Sequence, residues 1–501
     1  MSEKKAKVIR YSVCFLLLGM LCWLFPYTGD DWAWGSKIGI ERLKLWFDNY
    51  NGRYVGNLVV LAMTRSNLLK TVTMSFCLTG IIFCAESIFK RKWVFYASTV
   101  VLALIPKLIL RQAVVWTAGF SNYVTSLFLT LIYIAYIYPI FNKDKEYLKT
   151  RFRVWHCLPL FVLAAANTLI VEHLTIYNVV LAVGVLIYTI VCYRKIFIPH
   201  LVYFAGSVAG AVYMFSNSAY HTIAQNQDGY RQMADGGVIV RALHNYVNEI
   251  AKHLCLNNVW VNLAILIVCW LLYCQIKEQM IIKNEKLLAK LSLTVIMFYN
   301  VWALLSSFGI ATWTKQKYLL HAEAILVVLY MTALISFTVM AAVHAGRLWE
   351  ILFWDASIVC IAAPLLVVNP IGERCFFATY IMFALLLMEL ACMIEHEAVK
   401  KVLKGKAFSY ACMVISLAGL AFYLNIFTSI YQTDQARLAR IERQVAKGKT
   451  SVEILHLPYE SYLWTSTPEK EPWIERYKLF HGLPEDLELK AVWEYSRKKS
   501  K

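Results

Sequence analysis

Long apolar stretches separated by short polar segments occupy most of the first 430 positions of the chain. A helix needs about 20 apolar residues to cross the hydrocarbon core of a bilayer, and about thirteen stretches are candidates on that measure. The pattern therefore predicts an all-α polytopic membrane protein, with about 13 transmembrane helices within residues 1–428. The predicted helices begin near residues 8, 67, 93, 121, 155, 174, 198, 258, 289, 320, 350, 375 and 408.

The composition favours membrane spans over one large soluble core. Of the 501 residues, 59% are hydrophobic and 16% are charged, which leaves too few polar side chains to cover a soluble domain of this size. Most of the 13 cysteines lie inside the apolar stretches, and no CxxC pair occurs. The sequence therefore indicates neither a disulfide framework nor a zinc site.

Lysine and arginine concentrate in alternate segments between the apolar stretches. Residues 90–92, 143–153, 277–290 and 400–406 all fall on the side of the N-terminus when the spans are counted. The positive-inside rule makes that side cytoplasmic. We therefore expect a cell-membrane protein with a cytoplasmic N-terminus and an extracytoplasmic C-terminus. Because these loops account for much of the net charge of +18, that charge does not indicate nucleic-acid binding.

Three longer segments fall on the predicted outer side. Residues 27–66 form the first outer loop, and residues 216–257 form a second, larger one. Residues 429–501 begin with an amphipathic helical pattern and continue with a strand-like run at 451–457. We expect this tail to fold as a small extracytoplasmic α/β cap.

Adjacent carboxylates follow the first predicted span. Asp30 and Asp31 lie four and five residues after Pro26, where a carboxylate is able to accept a proton from a substrate hydroxyl. A solvated loop that merely ends the helix is the alternative. Arg53 lies on the same loop, and its planar guanidinium suits a phosphate or a carboxylate. The first outer loop is therefore the predicted catalytic segment.

Other charged residues are predicted on the same side of the membrane. Glu172 and His173 interrupt an apolar run, and a carboxylate in so short a turn has little water of its own. Five further basic residues are predicted there too, and each also has an ordinary interpretation as a snorkelling side chain or an ion-pair partner. Together they suit a site where cations hold a lipid-linked phosphate and a carboxylate deprotonates an incoming hydroxyl. These further residues are Arg111, Lys315, Lys317, His321 and Arg374.

The arrangement resembles the GT-C superfamily of membrane glycosyltransferases. It has a carboxylate-bearing first outer loop, a dozen or so spans and an extracytoplasmic C-terminal cap. Three short motifs resemble a bacterial membrane-protein family of unassigned function, related to the glucosyltransferases that decorate O-antigens and cell-wall polysaccharides. The motifs are Asp30-Asp31 with Asn51-Gly-Arg53, Arg111…Trp116-x-x-Gly119-x-x-Asn122-Tyr123, and Asn167…Glu172-His173.

The resemblance implies an inverting transfer of a sugar from a polyprenyl-phosphate donor to a cell-envelope glycan. The essential carboxylate of the superfamily corresponds to Asp30 or Asp31, with Glu172 as a further catalytic candidate. Asn122 and His173 join the cations as candidate substrate-binding residues. No cofactor is implied, but Asp30, Asp31 and Glu172 leave a divalent cation open. The expected partners are the lipid-linked donor, the glycan acceptor and membrane lipid.

Two other functions remain open at this stage. A flippase or transporter of lipid-linked oligosaccharides would carry charges at mid-span and an internal repeat. This sequence carries its charges near one face and has no visible repeat. A polysaccharide polymerase would share the donor type and the compartment. Neither the sugar nor the acceptor can be inferred from the sequence.

Overall fold

The structure is a computed structural model that describes residues 2–48, 50–224, 237–308 and 317–495. Helices account for 78% of the chain, so the all-α class is confirmed. The first eight α-helices are α1 (Glu3–Trp23), α2 (Asp30–Gly35), α3 (Lys37–Lys44), α4 (Tyr54–Met63), α5 (Asn67–Phe89), α6 (Lys92–Ala103), α7 (Lys107–Ile109) and α8 (Thr117–Ile137).

The middle of the chain continues the bundle. Its α-helices are α9 (Lys145–Arg151), α10 (Cys157–Asn167), α11 (Glu172–Tyr193), α12 (Ile198–Phe215), α13 (Ser218–Ala224), α14 (Val238–Asn245), α15 (Ala251–Leu254), α16 (Val259–Ile276) and α17 (Lys283–Ser307). The last part contains α18 (Lys317–His344), α19 (Leu348–Ala362), α20 (Phe377–Cys392), α21 (Glu397–Lys404), α22 (Lys406–Val445), β1 (Ser451–Leu455), α23 (Trp473–His481) and β2 (Glu488–Val492).

Short 3₁₀ and π segments extend several of these helices. The π-helical turns are Leu110–Val115 and Tyr246–Ile250, and the 3₁₀ turns are Tyr138–Phe141, Val154–His156, Leu256–Asn258, Ala363–Leu366, Glu373–Phe376 and Glu460–Tyr462.

Eleven helices of the described part are long and apolar enough to cross a membrane, and a bent pair would make twelve. The sequence predicts about thirteen, and two of those differ in the structure. The stretch near residue 93 bends by 78° between α6 and the helix that follows Pro106, because proline cannot continue the helical hydrogen bonds. The stretch near residue 155 is a short helix, Val154–Asn167. It ends at a mostly apolar and mostly buried turn, residues 168–171, which hydropathy alone does not distinguish from a span.

The basic segments gather at one end of the bundle, as their alternation predicts. Lys90, Lys143 and Arg347 line one cavity, and His344 contacts Glu285 at 2.7 Å. We call this the N-terminal end, defined by residues 3–10, 90–92, 143–151 and 344–350. The opposite end, defined by residues 24–66, 104–122 and 446–495, is the cap end.

The cap is built on the last long helix. With 40 residues, α22 is about 60 Å long, roughly twice the hydrocarbon thickness of a bilayer. Its last turns pack against β1, which pairs in parallel with β2. The predicted amphipathic helix and strand are therefore present, although the helix is continuous from Lys406 and the predicted boundary at residue 428 lies inside it. The buried core of the cap contains Ile441, Val452, Tyr477 and Leu489, together with Trp32 from the first connecting segment.

Both predicted outer loops contain regular helices. Residues 27–66 form α2, α3 and α4, and residues 237–258 form a nearly continuous helical run that leads into α16. The Asn245 side-chain amide anchors this run by donating to the Leu366 carbonyl at 3.0 Å. Residues 225–236 of the larger loop lie outside the described residues.

Candidate functional site

Asp31 anchors the first connecting segment to the bundle. Its carboxylate is fully buried and accepts hydrogen bonds from the backbone N–H groups of Thr28 at 3.2 Å, Thr117 at 3.3 Å and Ala118 at 2.8 Å. Thr117 and Ala118 begin α8, so the carboxylate satisfies amide groups that have no partner within that helix. Burial nevertheless raises the pKa of Asp31 to about 7, because desolvation outweighs the three N–H donors.

Asp30 differs from its neighbour in accessibility. Its side chain is 31% exposed, and its Oδ1 atom lies 2.8 Å from Arg476 of the cap. Arg476 lies on α23, which packs directly against α2. The structure thus separates the two predicted carboxylates. Asp30 can meet a substrate with an arginine beside it, whereas Asp31 is saturated by backbone donors.

Arg53 and Glu172 form a tight ion pair across the cap end. Arg53 Nε lies 2.9 and 3.0 Å from the two Glu172 oxygens, and a terminal nitrogen lies 2.7 Å from Oε2. The Tyr220 hydroxyl donates to Glu172 Oε1 at 2.7 Å. The two predicted residues therefore meet, but each already satisfies the charge of the other. This pair links the start of α4 to the start of α11.

The π-helical turn at Leu110–Val115 carries a second group of charges. Arg111 lies 3.4 Å from Glu373, and Gln112 also donates to the Glu373 carboxylate. The turn packs closely against the start of α8, because a Cβ atom at Gly119 would lie 1.9 Å from the Gln112 carbonyl oxygen. Glycine at position 119 is thus required for the observed position of the turn.

Arg374 is the one predicted cation of the described cluster without a carboxylate at ion-pair distance. Its Nε donates to the Tyr123 hydroxyl at 3.2 Å, and a terminal nitrogen donates to Gln112 Oε1 at 3.1 Å. The guanidinium also lies 5.5 Å from the ring of Trp116 and 5.9 Å from that of Trp464. Neutral groups therefore hold this cation at the edge of the cluster, and its charge is left for an anion.

Several buried polar atoms near this cluster have no hydrogen-bond partner in the described part. They lie at the N-cap and in the first two turns of α8 and in the first turn of α11, beside the Tyr123 ring that stacks on His173. The predicted residues Asn122 and His173 are both among them. Such atoms normally find partners, so a polar ligand is a natural complement. These atoms are Trp116 Nε1, Thr117 Oγ1, Asn122 Oδ1 and His173 Nε2.

Of the predicted basic residues near the start of α18, the structure describes the side chain of one, His321. Lys315 lies outside the described residues, and the structure describes Lys317 only as the first residue of α18. His321 is exposed and is the fifth residue of that helix. Helix α18 packs mainly against α15, α16, α17 and α19, whereas the Arg53 and Glu172 pair lies between α4 and α11.

The predicted carboxylates do not form a metal-binding set in the described residues. Within those residues no group of three or more histidine, cysteine, aspartate or glutamate side chains is placed to hold a metal ion. The oxygens of Asp31 face backbone donors, and those of Glu172 face Arg53 and Tyr220. A divalent cation would have to displace these partners.

Three residues that contribute to this cluster were not predicted from the sequence. Tyr220 lies in the segment predicted as an outer loop, and Arg476 and Trp464 lie in the cap. Each is more than 40 positions along the chain from the residue it contacts. The alternation of apolar and polar positions carries no signal for such pairings. Trp464 and Arg476 also have ordinary interpretations, as an aromatic anchor at the membrane interface and as a surface cation.

Comparisons of the chain with models of protein families, with curated proteins and with solved structures find no match.

Proposed function

We propose that the cap end is the active site of an inverting membrane glycosyltransferase. In this proposal the enzyme moves a sugar from a polyprenyl-phosphate donor to a cell-envelope glycan. The observation that carries the proposal is Arg374, a largely enclosed guanidinium surrounded by neutral groups. A phosphate that leaves with an extra negative charge is the kind of group such a cation stabilises.

Asp30 is the proposed general base. Its side chain is partly exposed, its Oδ1 atom lies 2.8 Å from Arg476 of the cap, and a carboxylate within reach of a hydroxyl can accept its proton. The acceptor hydroxyl oxygen bonds to the anomeric carbon while its proton passes to Asp30. The bond between that carbon and the phosphate oxygen breaks, and its electron pair leaves with the polyprenyl phosphate beside Arg374. Asp31 fixes the backbone of Asp30 relative to α8.

An apolar groove at the cap end supports a lipid-linked donor. A cavity of about 830 Å³ lies between the bend after α6, the start of α16, the end of α17 and the middle of α22. Trp260 and Phe422 line it, and exposed Lys107 lies at its edge, three residues before the π-helical turn. An isoprenoid chain matches the apolar walls, and its phosphate would then lie near the turn that carries Gln112.

The orientation in the membrane is part of the proposal. The basic segments gather at the N-terminal end, and lysine and arginine favour the cytoplasmic side. We therefore place the N-terminus in the cytoplasm of a cell-membrane protein and the cap outside. This orientation exposes the proposed site to an extracytoplasmic glycan, and a lipid-linked donor rather than a nucleotide sugar is then the expected substrate.

The test uses the full chain in lipid nanodiscs with a panel of polyprenyl-phosphate monosaccharides and glycan acceptors. Release of polyprenyl phosphate should depend on the acceptor. Asp30→Asn should lower turnover by at least about 100-fold, as expected for loss of a general base. Asp48→Asn is the matched control, because Asp48 is an exposed carboxylate on the same segment that contacts Ser218.

Arg374→Gln tests the phosphate contact in the same assay. Removing one charge-stabilising donor lowers turnover by about 100- to 1,000-fold in comparable sites. Arg440→Gln, which removes a cap arginine that stacks on Tyr495, should leave turnover unchanged. Saturable donor binding without sugar transfer would instead favour a flippase or carrier. Full turnover in Asp30→Asn would refute the assignment of the base.

A further inference from the structure

A second cavity lies at the N-terminal end, far from the proposed active site along α5. Its volume is about 1540 Å³, and α1, α5, α8 and the segments that follow α5 and α8 enclose it. None of the residues assigned to the proposed active site lines it. The cavity therefore needs an explanation of its own.

The floor of this cavity is an apolar groove along one face of α5. Phe76, Gly80, Phe83 and Ser87 repeat at helical spacing and all line it. Phe76 and Phe83 are 59% and 48% exposed. A Cβ atom at Gly80 would lie 2.2 Å from Phe128 of α8, so glycine lets that ring form the groove wall.

The mouth of the groove is strongly basic. Lys90, Arg91 and Lys92 follow α5 directly, and all three are exposed. Six cations line the mouth in all, and within the described residues none of them has a carboxylate at ion-pair distance. The groups deeper in the cavity are already neutralised, since Glu86 accepts from Arg10 at 2.7 Å. The six cations at the mouth are Lys4, Lys90, Arg91, Lys92, Lys143 and Arg151.

The dimensions fit one leaflet of a bilayer. From Phe76 to Lys90 the groove runs about 21 Å along α5, at 1.5 Å per residue. Half of the hydrocarbon core is about 15 Å deep, so the basic mouth falls at headgroup level when the aromatic floor lies among the acyl chains. One molecule with an anionic head and an apolar tail would therefore complement the whole cavity.

We propose that this cavity is a binding site for an anionic phospholipid of the surrounding membrane. The phosphate-bearing headgroup contacts the cluster of residues 90–92, and an acyl chain lies along Phe76 and Phe83. The site is distinct from the proposed active site, and the inference does not depend on any catalytic activity. The positive-inside tendency accounts for basic loops at this end, but it does not account for an aromatic groove that begins beneath them.

The test measures lipid retention by native mass spectrometry on the purified full chain. The probes are phosphatidylglycerol and phosphatidylcholine with the same acyl chains. Because each basic side chain near an anionic headgroup contributes roughly a factor of five in affinity, phosphatidylglycerol should bind at least about tenfold more tightly. The triple variant Lys90→Gln/Arg91→Gln/Lys92→Gln should remove that preference.

A matched control separates the site from the general charge of this end. Lys283→Gln/Lys286→Gln/Lys290→Gln removes the same charge from the start of α17, whose residues do not line the cavity. This variant should keep the preference for phosphatidylglycerol within about twofold, since charges outside contact distance are screened. Ser87→Trp fills the groove without changing the charge and should also abolish the preference.

Three outcomes would overturn the proposal. Equal retention of the two lipids would show that the headgroup is not recognised. An equal loss in the two triple variants would reduce the effect to surface charge. Displacement of phosphatidylglycerol by a lower concentration of polyprenyl monophosphate would assign the groove to an isoprenoid lipid instead.

Discussion

Replacing Glu172 with glutamine removes the negative charge that Arg53 faces in the structure. Three nitrogen–oxygen distances of 2.7–3.0 Å connect the two side chains, and Tyr220 donates a further hydrogen bond to the same carboxylate. The variants Arg53→Gln, Glu172→Gln and their combination form a double-mutant cycle. This cycle tests whether the pair acts as a structural link between α4 and α11.

The expected magnitude follows from the burial of the pair. Removing one partner from a fully buried ion pair destabilises a protein by about 3–5 kcal/mol. Here the side chains of Arg53 and Glu172 are 25% and 19% exposed, so water partly screens the charge that remains. We expect each single variant to lose about 2–3 kcal/mol of stability and the double variant to lose little more, with a coupling energy of about 2 kcal/mol.

Thermal unfolding in detergent, followed by the surviving monodisperse fraction, provides the readout. Each single variant should melt several degrees lower than the parent, and the double variant should resemble the less stable single one. The control is the cycle of Arg111→Gln and Glu373→Gln, because one ion-pair contact at 3.4 Å joins those residues and their coupling should be smaller. Strictly additive losses in the Arg53 and Glu172 cycle would refute the structural role.

Further predictions concern the anchor, the π-helical turn and the cap. Because burial raises the pKa of Asp31 to about 7 from 3.8, its contribution to stability is present below about pH 4 and is lost as the pH rises through 7. Between pH 5 and 8 the melting temperature of Asp31→Asn should therefore fall less than that of the parent, and parallel curves would contradict this. Gly119→Ala should lower stability by about 1–3 kcal/mol, since the new methyl group overlaps the Gln112 carbonyl. An unchanged melting temperature would show that the turn shifts freely. Trp32 is 1% exposed and packs 5.1 Å from the Tyr477 ring, so Trp32→Ala should destabilise the cap by about 3–5 kcal/mol. Faster proteolysis after residue 445 measures this, and an unchanged cleavage rate would contradict it.

The fold class could be predicted because hydropathy is a local property. The stretches near residues 67, 289 and 375 correspond to α5, α17 and α20, and the alternation of basic loops correctly grouped their ends. The predictions differed where an apolar sequence did not continue as one helix. Residues 168–171 are mostly apolar and mostly buried yet form a turn, and Pro106 lies at a bend between two apolar helices.

The site was predictable only in part. A carboxylate after the first span and a carboxylate at the start of α11 are visible as charged residues in an apolar context. Their partners are not visible, because an ion pair depends on distance in space. The pairing of Arg53 with Glu172 joins positions 119 residues apart, and that of Asp30 with Arg476 joins positions 446 residues apart.

The sequence by itself determined that the chain is a helical membrane protein with its basic loops at one end. Twenty apolar residues in a row have no stable alternative to a helix in a bilayer, since every backbone group must be satisfied within the segment. Only the tertiary structure decided the roles of individual charges. It buried Asp31 against the backbone of α8, left Asp30 accessible beside Arg476, neutralised Arg53 with Glu172 and left Arg374 among neutral groups. How strongly a charged side chain interacts with a substrate depends on its burial and on its neighbours, and packing sets both.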